Sequence, residues 1–213
     1  MRIVQSLPAH PSEYDKKAAR IDFDLLRDVA ARVTLTYGQP PVSELPEAVA
    51  EEYFDVHASR GRSSPYTIGS FYRRSIVRIV EQTVPRLHRT RDDIEWLLLD
   101  HVPTPADFAQ FDAWIDPAVD EKDLDGFVAE ALVCGKVVVA FRTAINMKRL
   151  EKGRTGFLVP PGDANELTHA ILAALFKPEV AQQKIEAARQ TISKFHPRQR
   201  LRALTQLLET TQK

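Results

Sequence analysis

The sequence feature that most constrains the fold is the stretch over residues 126–163, GFVAEALVCGKVVVAFRTAINMKRLEKGRTGFLVPPGD. A Gly-Phe turn opens a predicted helix, and a short apolar strand is expected over residues 137–140. A polar loop with one helical turn then leads to a second strand over residues 156–159, which a Pro-Pro-Gly-Asp sequence ends. Asp163 of that sequence is expected to cap a helix that starts near Ala164. This alternation of strand and helix predicts an α/β fold.

Composition restricts the chain to ordinary globular proteins. Its 213 residues, 44% hydrophobic and 27% charged, are enough for one substantial α/β domain or two small ones. No apolar run approaches the roughly 20 residues that a membrane helix needs, and the start of the chain lacks the pattern of a signal peptide. The single cysteine, Cys134, is interpreted as a small core residue, and a cytoplasmic location is expected. The 29 basic and 29 acidic residues cancel, so net charge implies no partner.

The first part of the chain is predicted to alternate strands and helices. Strands are expected over residues 2–7 and 33–37, each followed by proline or glycine, and an amphipathic helix is expected to begin near Ser12. A short helix over residues 44–53 and a third strand over residues 54–59 complete a β-α-β-α-β order.

The composition changes over residues 59–93, which are rich in arginine and contain no lysine. Mixed helical spacing of apolar residues from 68 to 87 predicts a basic helical segment with a solvated face. Alternatively, Arg60 and Arg62 bind phosphate or another anion at the adjacent turn, because guanidinium pairs well with phosphate oxygens. Nucleic-acid binding is the third interpretation, and it is not expected because no known nucleic-acid module surrounds the segment.

Residues 94–99, IEWLLL, form an apolar run that predicts a buried central strand. Asp100 and His101 follow it directly. Ligands of doubly wound sheets bind outside the carboxyl ends of the strands, so both residues are candidates for catalysis, with a hydrogen-bonded turn as the alternative for His101. A short helix capped by Thr104 is expected next, followed by a strand within FDAWIDP that Pro117 ends.

Four pieces of sequence then occur in a specific order: FDAWIDP, GFVAEALVCGKVVVA, LEKGRTGFLVPPGDANELTHAI and ISKFHPRQRLRALTQLLE. Together, over residues 97–208, they resemble the nucleotide-sugar-binding C-terminal domain of GT-B glycosyltransferases of the glycosyl transferases group 1 type. The resemblance implies a single Rossmann-like domain over residues 1–213, with a mostly parallel sheet flanked by helices. It also implies an enzyme of glycan biosynthesis whose substrate is a nucleotide diphosphate-sugar.

The resemblance places the donor at the helix that begins at Gly126 and Phe127. A helix start presents free backbone N–H groups and a positive dipole end, which suits a diphosphate. In the family, the second glutamate of an E-x-x-x-x-x-x-x-E pattern binds the ribose hydroxyls, and Glu130 occupies that place. A solvent-facing or capping role is the alternative for Glu130. Arg60 and Arg62 complete the predicted donor-binding set.

Two places depart from the family pattern. The first acidic position falls on Lys122, which cannot replace a carboxylate. Glu121, Asp123 or Asp125 could substitute if the loop is reshaped, and Glu121 and Asp123 are catalytic candidates. Ala144 and Ile145 stand where flexible glycines of the family approach the sugar-phosphate. Their side chains are expected to crowd the donor or to change which donor is bound.

The chain has room for one of the two Rossmann-like domains of a complete GT-B enzyme. We therefore expect a partner acceptor domain or a homodimer to hold the acceptor, since catalysis requires both reactants in one place. No metal-ligand cluster or D-x-D motif is visible, so metal independence and no cofactor are expected from the resemblance. The alternative function is a non-catalytic, transferase-like binding or assembly subunit.

Overall fold

Five parallel strands form one sheet in the computed structural model, which describes residues 47–55, 64–118 and 126–211. The strands are β1 (Tyr66–Phe71), β2 (Ile94–Leu99), β3 (Ala113–Asp116), β4 (Val137–Phe141) and β5 (Phe157–Val159). Their order across the sheet is β2-β1-β3-β4-β5, and every pairing is parallel. All five carboxyl ends therefore lie at the same edge of the sheet.

Seven α-helices connect and flank these strands within the described ranges. They are α1 (Val77–Thr90), α2 (Pro105–Gln110), α3 (Val128–Val133), α4 (Ala144–Arg149), α5 (Ala164–Phe176), α6 (Pro178–Arg189) and α7 (Pro197–Thr211). Short 3-10 turns lie at Glu51–Tyr53, Arg74–Ile76, Glu151–Gly153 and Ile192–Phe195. The predicted α/β fold with a parallel sheet and flanking helices is confirmed.

The sheet separates two hydrophobic cores. Strand residues alternate between them: Val137, Val139 and Phe141 of β4 pack on one side, while Val138 and Ala140 pack on the other. Helices α1 and α5 cover the first side, and α2, α3 and the segment over residues 47–55 cover the second. Because both faces are buried, β4 has the continuous apolar sequence typical of a parallel sheet.

The predicted helical segment over residues 68–87 is wrong in its first part, because residues 66–71 form β1. This strand lies between β2 and β3, and its side chains are buried on both faces. Ser70 accepts a hydrogen bond from the Trp96 indole (2.9 Å) and donates one to the Ile115 carbonyl (2.6 Å), which joins three strands. The helix begins only at Val77, after a 3-10 turn.

The strand over residues 94–99 has the predicted bounds but not the predicted central place. It is the outer strand, β2, of the part of the sheet that the structure describes. Its burial alternates, with Ile94, Trp96 and Leu98 buried and Glu95 exposed. Its other face is less deeply buried, with Leu97 and Leu99 packing partly buried against the second core.

The prediction for residues 44–59 is not reproduced over residues 47–55, the part of this segment that the structure describes. Where a helix was expected to continue to residue 53, only the 3-10 turn Glu51–Tyr53 forms, and Phe54 and Asp55 form a turn in place of a strand. Burial of Val49 and Tyr53 in the second core fixes this segment without a regular helix. The strands and the helix predicted before residue 44 lie outside the described residues.

Several local predictions are confirmed. Thr104 caps α2 through a capping box with Asp107, and Asp163 caps α5 by accepting from two backbone N–H groups. Cys134 is buried in the second core, and burial raises its thiol pKa to about 12. The thiol is therefore a core group and not a reactive nucleophile.

Gly69→Ala is expected to lower the free energy of unfolding by about 1–3 kcal/mol, which is typical of overpacking. A Cβ at position 69 would lie 2.7 Å from ring carbons of Phe111. Urea denaturation followed by circular dichroism measures the loss. Adding Phe111→Leu is expected to restore part of it, and wild-type stability of the single variant would contradict the packing argument.

Candidate functional site

The carboxyl edge of the sheet carries a buried polar cluster formed by Arg73, Asp116 and Asn146. Arg73 follows β1, Asp116 is the last residue of β3, and Asn146 lies in α4, which follows β4. The parallel order brings these three chain segments together, because β1, β3 and β4 are adjacent in the sheet. This position is where ligands of open α/β sheets bind.

Asp116 is the centre of the cluster. Its Oδ2 accepts a hydrogen bond from Asn146 Nδ2 at 3.0 Å, and its Oδ1 lies 3.8 Å from Arg73 Nη1. The Asp116 side chain is 7% exposed and that of Arg73 is 11% exposed. Such an ion pair is shielded from solvent, so its partners depend on each other more than a surface pair would.

Opposing effects act on the pKa of Asp116. Burial raises it, because the charged form loses its hydration, and this effect is the largest. The hydrogen bond from Asn146 and the charges of Arg73 and Arg149 act in the opposite direction. The result is a carboxyl group with a pKa above its ordinary value.

Gly126 was predicted to let a diphosphate approach the backbone. In the structure it also leaves space for the Asp116 side chain. A Cβ at this position would lie 2.4 Å from the Asp116 carboxyl carbon, so a larger residue cannot occupy it unless Asp116 moves. The Gly126 carbonyl accepts a hydrogen bond of 2.7 Å from the buried Trp114 indole. Gly126 therefore makes room for a side chain of the protein itself.

Phe127 is the N-cap of α3 and adopts a left-handed conformation, with φ of 51°. Non-glycine residues rarely adopt this conformation, and it is enriched at functional sites. The Phe127 ring packs edge-on against Phe71 at 5.0 Å, and the Arg73 guanidinium lies 5.5 Å from the centre of the Phe71 ring. The two aromatic rings thus connect the start of α3 to the arginine of the cluster.

Two buried polar atoms of the cluster have no hydrogen-bond partner among the described residues. They are the donor Arg73 Nη2 and the acceptor Asn146 Oδ1. Buried polar groups are nearly always hydrogen-bonded, so each such exception calls for an explanation. A bound polar ligand would satisfy both atoms.

Glu130 lies in the first turn of α3 and is half-buried. It is close enough to Tyr53 for its charge to help raise that phenol's pKa to about 12, although burial contributes more. The Tyr53 hydroxyl donates to the Pro103 carbonyl at 2.6 Å, in the loop between β2 and α2. Glu130 therefore lies near Tyr53, which connects the segment over residues 47–55 to the loop after β2.

Asp100 and His101 also lie at the carboxyl edge, but they follow the outer strand β2. The two nitrogens of His101 lie 3.4 Å from Asp100 Oδ1 and 3.3 Å from Asp107 Oδ2. Asp107 also caps α2 through Thr104. His101 thus occupies a hydrogen-bonded turn, and β1 separates its strand from β3 and Asp116.

The remaining predicted site residues are Arg60, Arg62, Glu121 and Asp123, and they lie outside the described residues, as does Lys122. Arg73, Asp116 and Asn146 were not predicted from the sequence to be site residues. One signal was available for Asp116, since a charged residue ends an otherwise apolar strand directly before a proline. Ala144 and Ile145, the departures from the family glycines, form the first turn of α4.

The described residues contain neither a cluster of metal ligands nor a helix that could span a membrane. No group of three or more His, Cys, Asp or Glu side chains is arranged to hold a metal ion. No helix there combines the length and apolar character required to cross a bilayer.

Comparison with known proteins shows which family part of the chain resembles. Residues 80–176 match the family model described as glycosyl transferases group 1. The resemblance found in the sequence is confirmed. No curated protein matches the chain significantly.

Solved glycosyltransferases share the fold. One from Rickettsia africae ESF-5 has a TM-score of 0.62 and 14% identity, over 87% of this chain and 62% of its own. S. aureus TarM, solved as a mutant with Fondaparinux, alpha-GlcNAc-glycerol and UDP, has a TM-score of 0.58 and 13% identity, over 71% of this chain and 37% of its own. Anabaena HepE, solved with UDP-glucose, has a TM-score of 0.51 and 20% identity, over 68% of this chain and 48% of its own.

The chain therefore has the Rossmann-like fold of GT-B glycosyltransferases, in its C-terminal-domain form. The matched region covers less than two thirds of each of these three proteins. The family match extends over part of the chain, and the solved structures show its fold.

Asp116→Asn is expected to change how stability depends on pH. The pKa of Asp116 is raised above its ordinary value of 3.8, so the unfolded chain loses this proton at lower pH than the folded protein does. The free energy of unfolding of the wild type should therefore fall relative to that of Asp116→Asn as the pH rises from below 3.8 toward neutrality. Urea denaturation across this range measures the difference, and a constant difference would contradict the raised pKa.

Proposed function

We propose that this chain provides the donor-binding side of a metal-independent glycosyltransferase, with a nucleotide diphosphate-sugar bound at the carboxyl edge of the sheet. The sugar is transferred to an acceptor held by another domain, a partner chain or a second copy of this chain. One Rossmann-like domain over residues 1–213, working in the cytoplasm in glycan biosynthesis, forms part of this proposal.

The observation that carries the proposal is the pair of unsatisfied buried atoms, Arg73 Nη2 and Asn146 Oδ1. A guanidinium N–H suits a phosphate oxygen, and an amide oxygen suits a sugar hydroxyl. The same two side chains contact the Asp116 carboxylate through their other nitrogens, Arg73 Nη1 and Asn146 Nδ2, at the edge where α/β sheets bind nucleotides. A nucleotide diphosphate-sugar carries both of the groups that these atoms require.

Each residue of the cluster has a distinct role in this proposal. Arg73 contacts the diphosphate and offsets its charge, while Phe71 supports the guanidinium from below. Asp116 is a positioning residue, because it already holds Asn146 and Arg73 and does not need to touch the donor. Gly126 and Phe127 form the turn that leads into α3, whose backbone N–H groups assist phosphate binding.

Glu130 binds the ribose in this proposal. Its place in the first turn of α3 puts it close to the phosphate-binding turn, and its half-buried carboxylate can accept from two vicinal hydroxyls. UDP is the nucleotide to test first, since TarM and HepE were both solved with it.

Arg73→Ala is expected to weaken UDP binding about 10- to 100-fold, because the loss of a charge-assisted contact costs about 1.5–3 kcal/mol. Isothermal titration calorimetry measures the affinity. Arg74→Ala is the matched control, since Arg74 is the neighbouring residue and is exposed. Equal weakening in both variants would indicate a general charge effect, and unchanged binding in Arg73→Ala would refute the assignment.

Glu130→Ala is expected to weaken binding of UDP but not of 2′,3′-dideoxy-UDP, because only UDP offers the ribose hydroxyls. A neutral hydrogen bond contributes about 1 kcal/mol and a charged one more, so a loss of about tenfold or greater is expected. Titration of both nucleotides into both proteins forms a double-difference cycle. Equal losses for the two nucleotides would exclude a ribose contact.

A non-catalytic binding or assembly subunit is the second candidate function. It is favoured by Ala144 and Ile145, which occupy the first turn of α4 beside Asn146, where the flexible glycines of the family would leave more room for a donor. The two functions differ in turnover. Release of UDP from a UDP-sugar by the purified chain, lost in Arg73→Ala, would exclude the non-catalytic alternative.

A further inference from the structure

A cavity of about 660 Å³ lies along β5, an outer strand of the described part of the sheet. Its lining includes Phe157 and Leu158 of β5, residues of α5, Lys184 of α6 and residues that precede β5. We call it the β5 groove. Ligand pockets typically have volumes of about 300–1,000 Å³, so the β5 groove is large enough for a small organic ligand.

Positive charge dominates the lining of the β5 groove. Its lining contains one carboxylate, that of Glu166, and four cationic side chains: Arg142, Lys152, Lys177 and Lys184. Of the four cations, Lys184 already donates to the Gly153 carbonyl at 2.7 Å and lies over the Phe157 ring. Its role is to cover the strand edge, as lysines often do at the outer strands of sheets.

The other three cations form no ion pair with the described residues, and all three are exposed. They come from separate places: Arg142 follows β4, Lys152 lies in the 3-10 turn before β5, and Lys177 follows α5. A site for one phosphate gathers its donors around a point. Cations spread along a groove instead match a ligand with several separated negative charges.

The groove also has apolar surface between its charges. Met147 is 37% exposed, Leu158 is half-buried, and Ala173 adds a small contact on α5. Arg142 marks the end of the groove at the carboxyl edge, where its backbone N–H donates to Val159. Met147 lies next to Asn146 in α4, so the groove adjoins the polar cluster.

We propose that the β5 groove binds an anionic saccharide chain, the acceptor of the transferase, and directs its end toward the carboxyl edge. The groove is a binding site in its own right, and the word acceptor rests on the proposed function above. The saccharide carries several carboxylate, sulfate or phosphate groups, which pair with Arg142, Lys152 and Lys177. Its less polar faces contact Met147, Leu158 and Ala173.

The test measures binding of fluorescently labelled tetragalacturonate by fluorescence anisotropy. Lys152→Glu/Lys177→Glu is expected to weaken binding about tenfold or more, because two attractive contacts become repulsive. Arg78→Glu/Arg89→Glu makes the same change in net charge on α1, at two exposed residues outside the groove. It is expected to leave affinity within about twofold, since salt screens distant charges.

Two further ligands test the chemical class. Neutral maltotetraose is expected not to bind, and inorganic tripolyphosphate is expected to compete only weakly. Equal weakening by the two double variants, or no binding of tetragalacturonate by the wild type, would overturn the proposal. Tripolyphosphate binding as tight as that of tetragalacturonate would overturn the saccharide assignment.

UDP titration of the same proteins separates this proposal from the proposed function. Lys152→Glu/Lys177→Glu is expected to bind UDP as the wild type does, which also shows that it is folded. The wild type could bind tetragalacturonate, with the loss expected in Lys152→Glu/Lys177→Glu, and yet fail to bind UDP. That result would support the β5 groove as a saccharide site and refute the donor site. UDP binding without tetragalacturonate binding would refute the groove alone.

Discussion

The Asp116 carboxylate joins parts of the chain that are far apart in sequence. It accepts from Asn146 in α4, lies near Arg73 after β1, and fills the space that the missing side chain of Gly126 leaves. Without Asp116, the segments after β1 and β4 would lose their common partner. A buried charge of this kind contributes little net stability but strongly disfavours arrangements in which it is unpaired.

Charges alternate in sign through this region. Glu47 binds Arg149 through two hydrogen bonds, one of them 2.9 Å long; Arg149 acts electrostatically on Asp116, and Asp116 lies close to Arg73. The segment over residues 47–55 is thereby linked to the carboxyl edge as well as to the second core. An anion bound at Arg73 would therefore interact electrostatically with a series of paired charges, and not with an isolated arginine.

Local sequence signals predicted much of the fold but not its long-range arrangement. The bounds of β2, the Thr104 cap and the Asp163 cap were predictable because they depend on neighbouring residues. The outer place of β2 was not, since strand order depends on pairings between distant residues. β1 was mistaken for helix because its Gly69 and Ser70 are explained only by Phe111, Trp96 and Ile115, which come later in the chain.

The site follows the same division. The turn at Gly126 and the place of Glu130 could be predicted from a motif, whereas the cluster around Asp116 forms only when three distant segments of the chain meet.

Trp114 donates to Gly126 from within the core, and the only other tryptophan, Trp96, donates to Ser70 on the opposite side of the sheet. A ligand that shifts the Gly126 carbonyl would change the surroundings of the Trp114 indole and therefore its fluorescence. The protein thus carries an intrinsic optical reporter at its carboxyl edge and a second tryptophan as its internal reference.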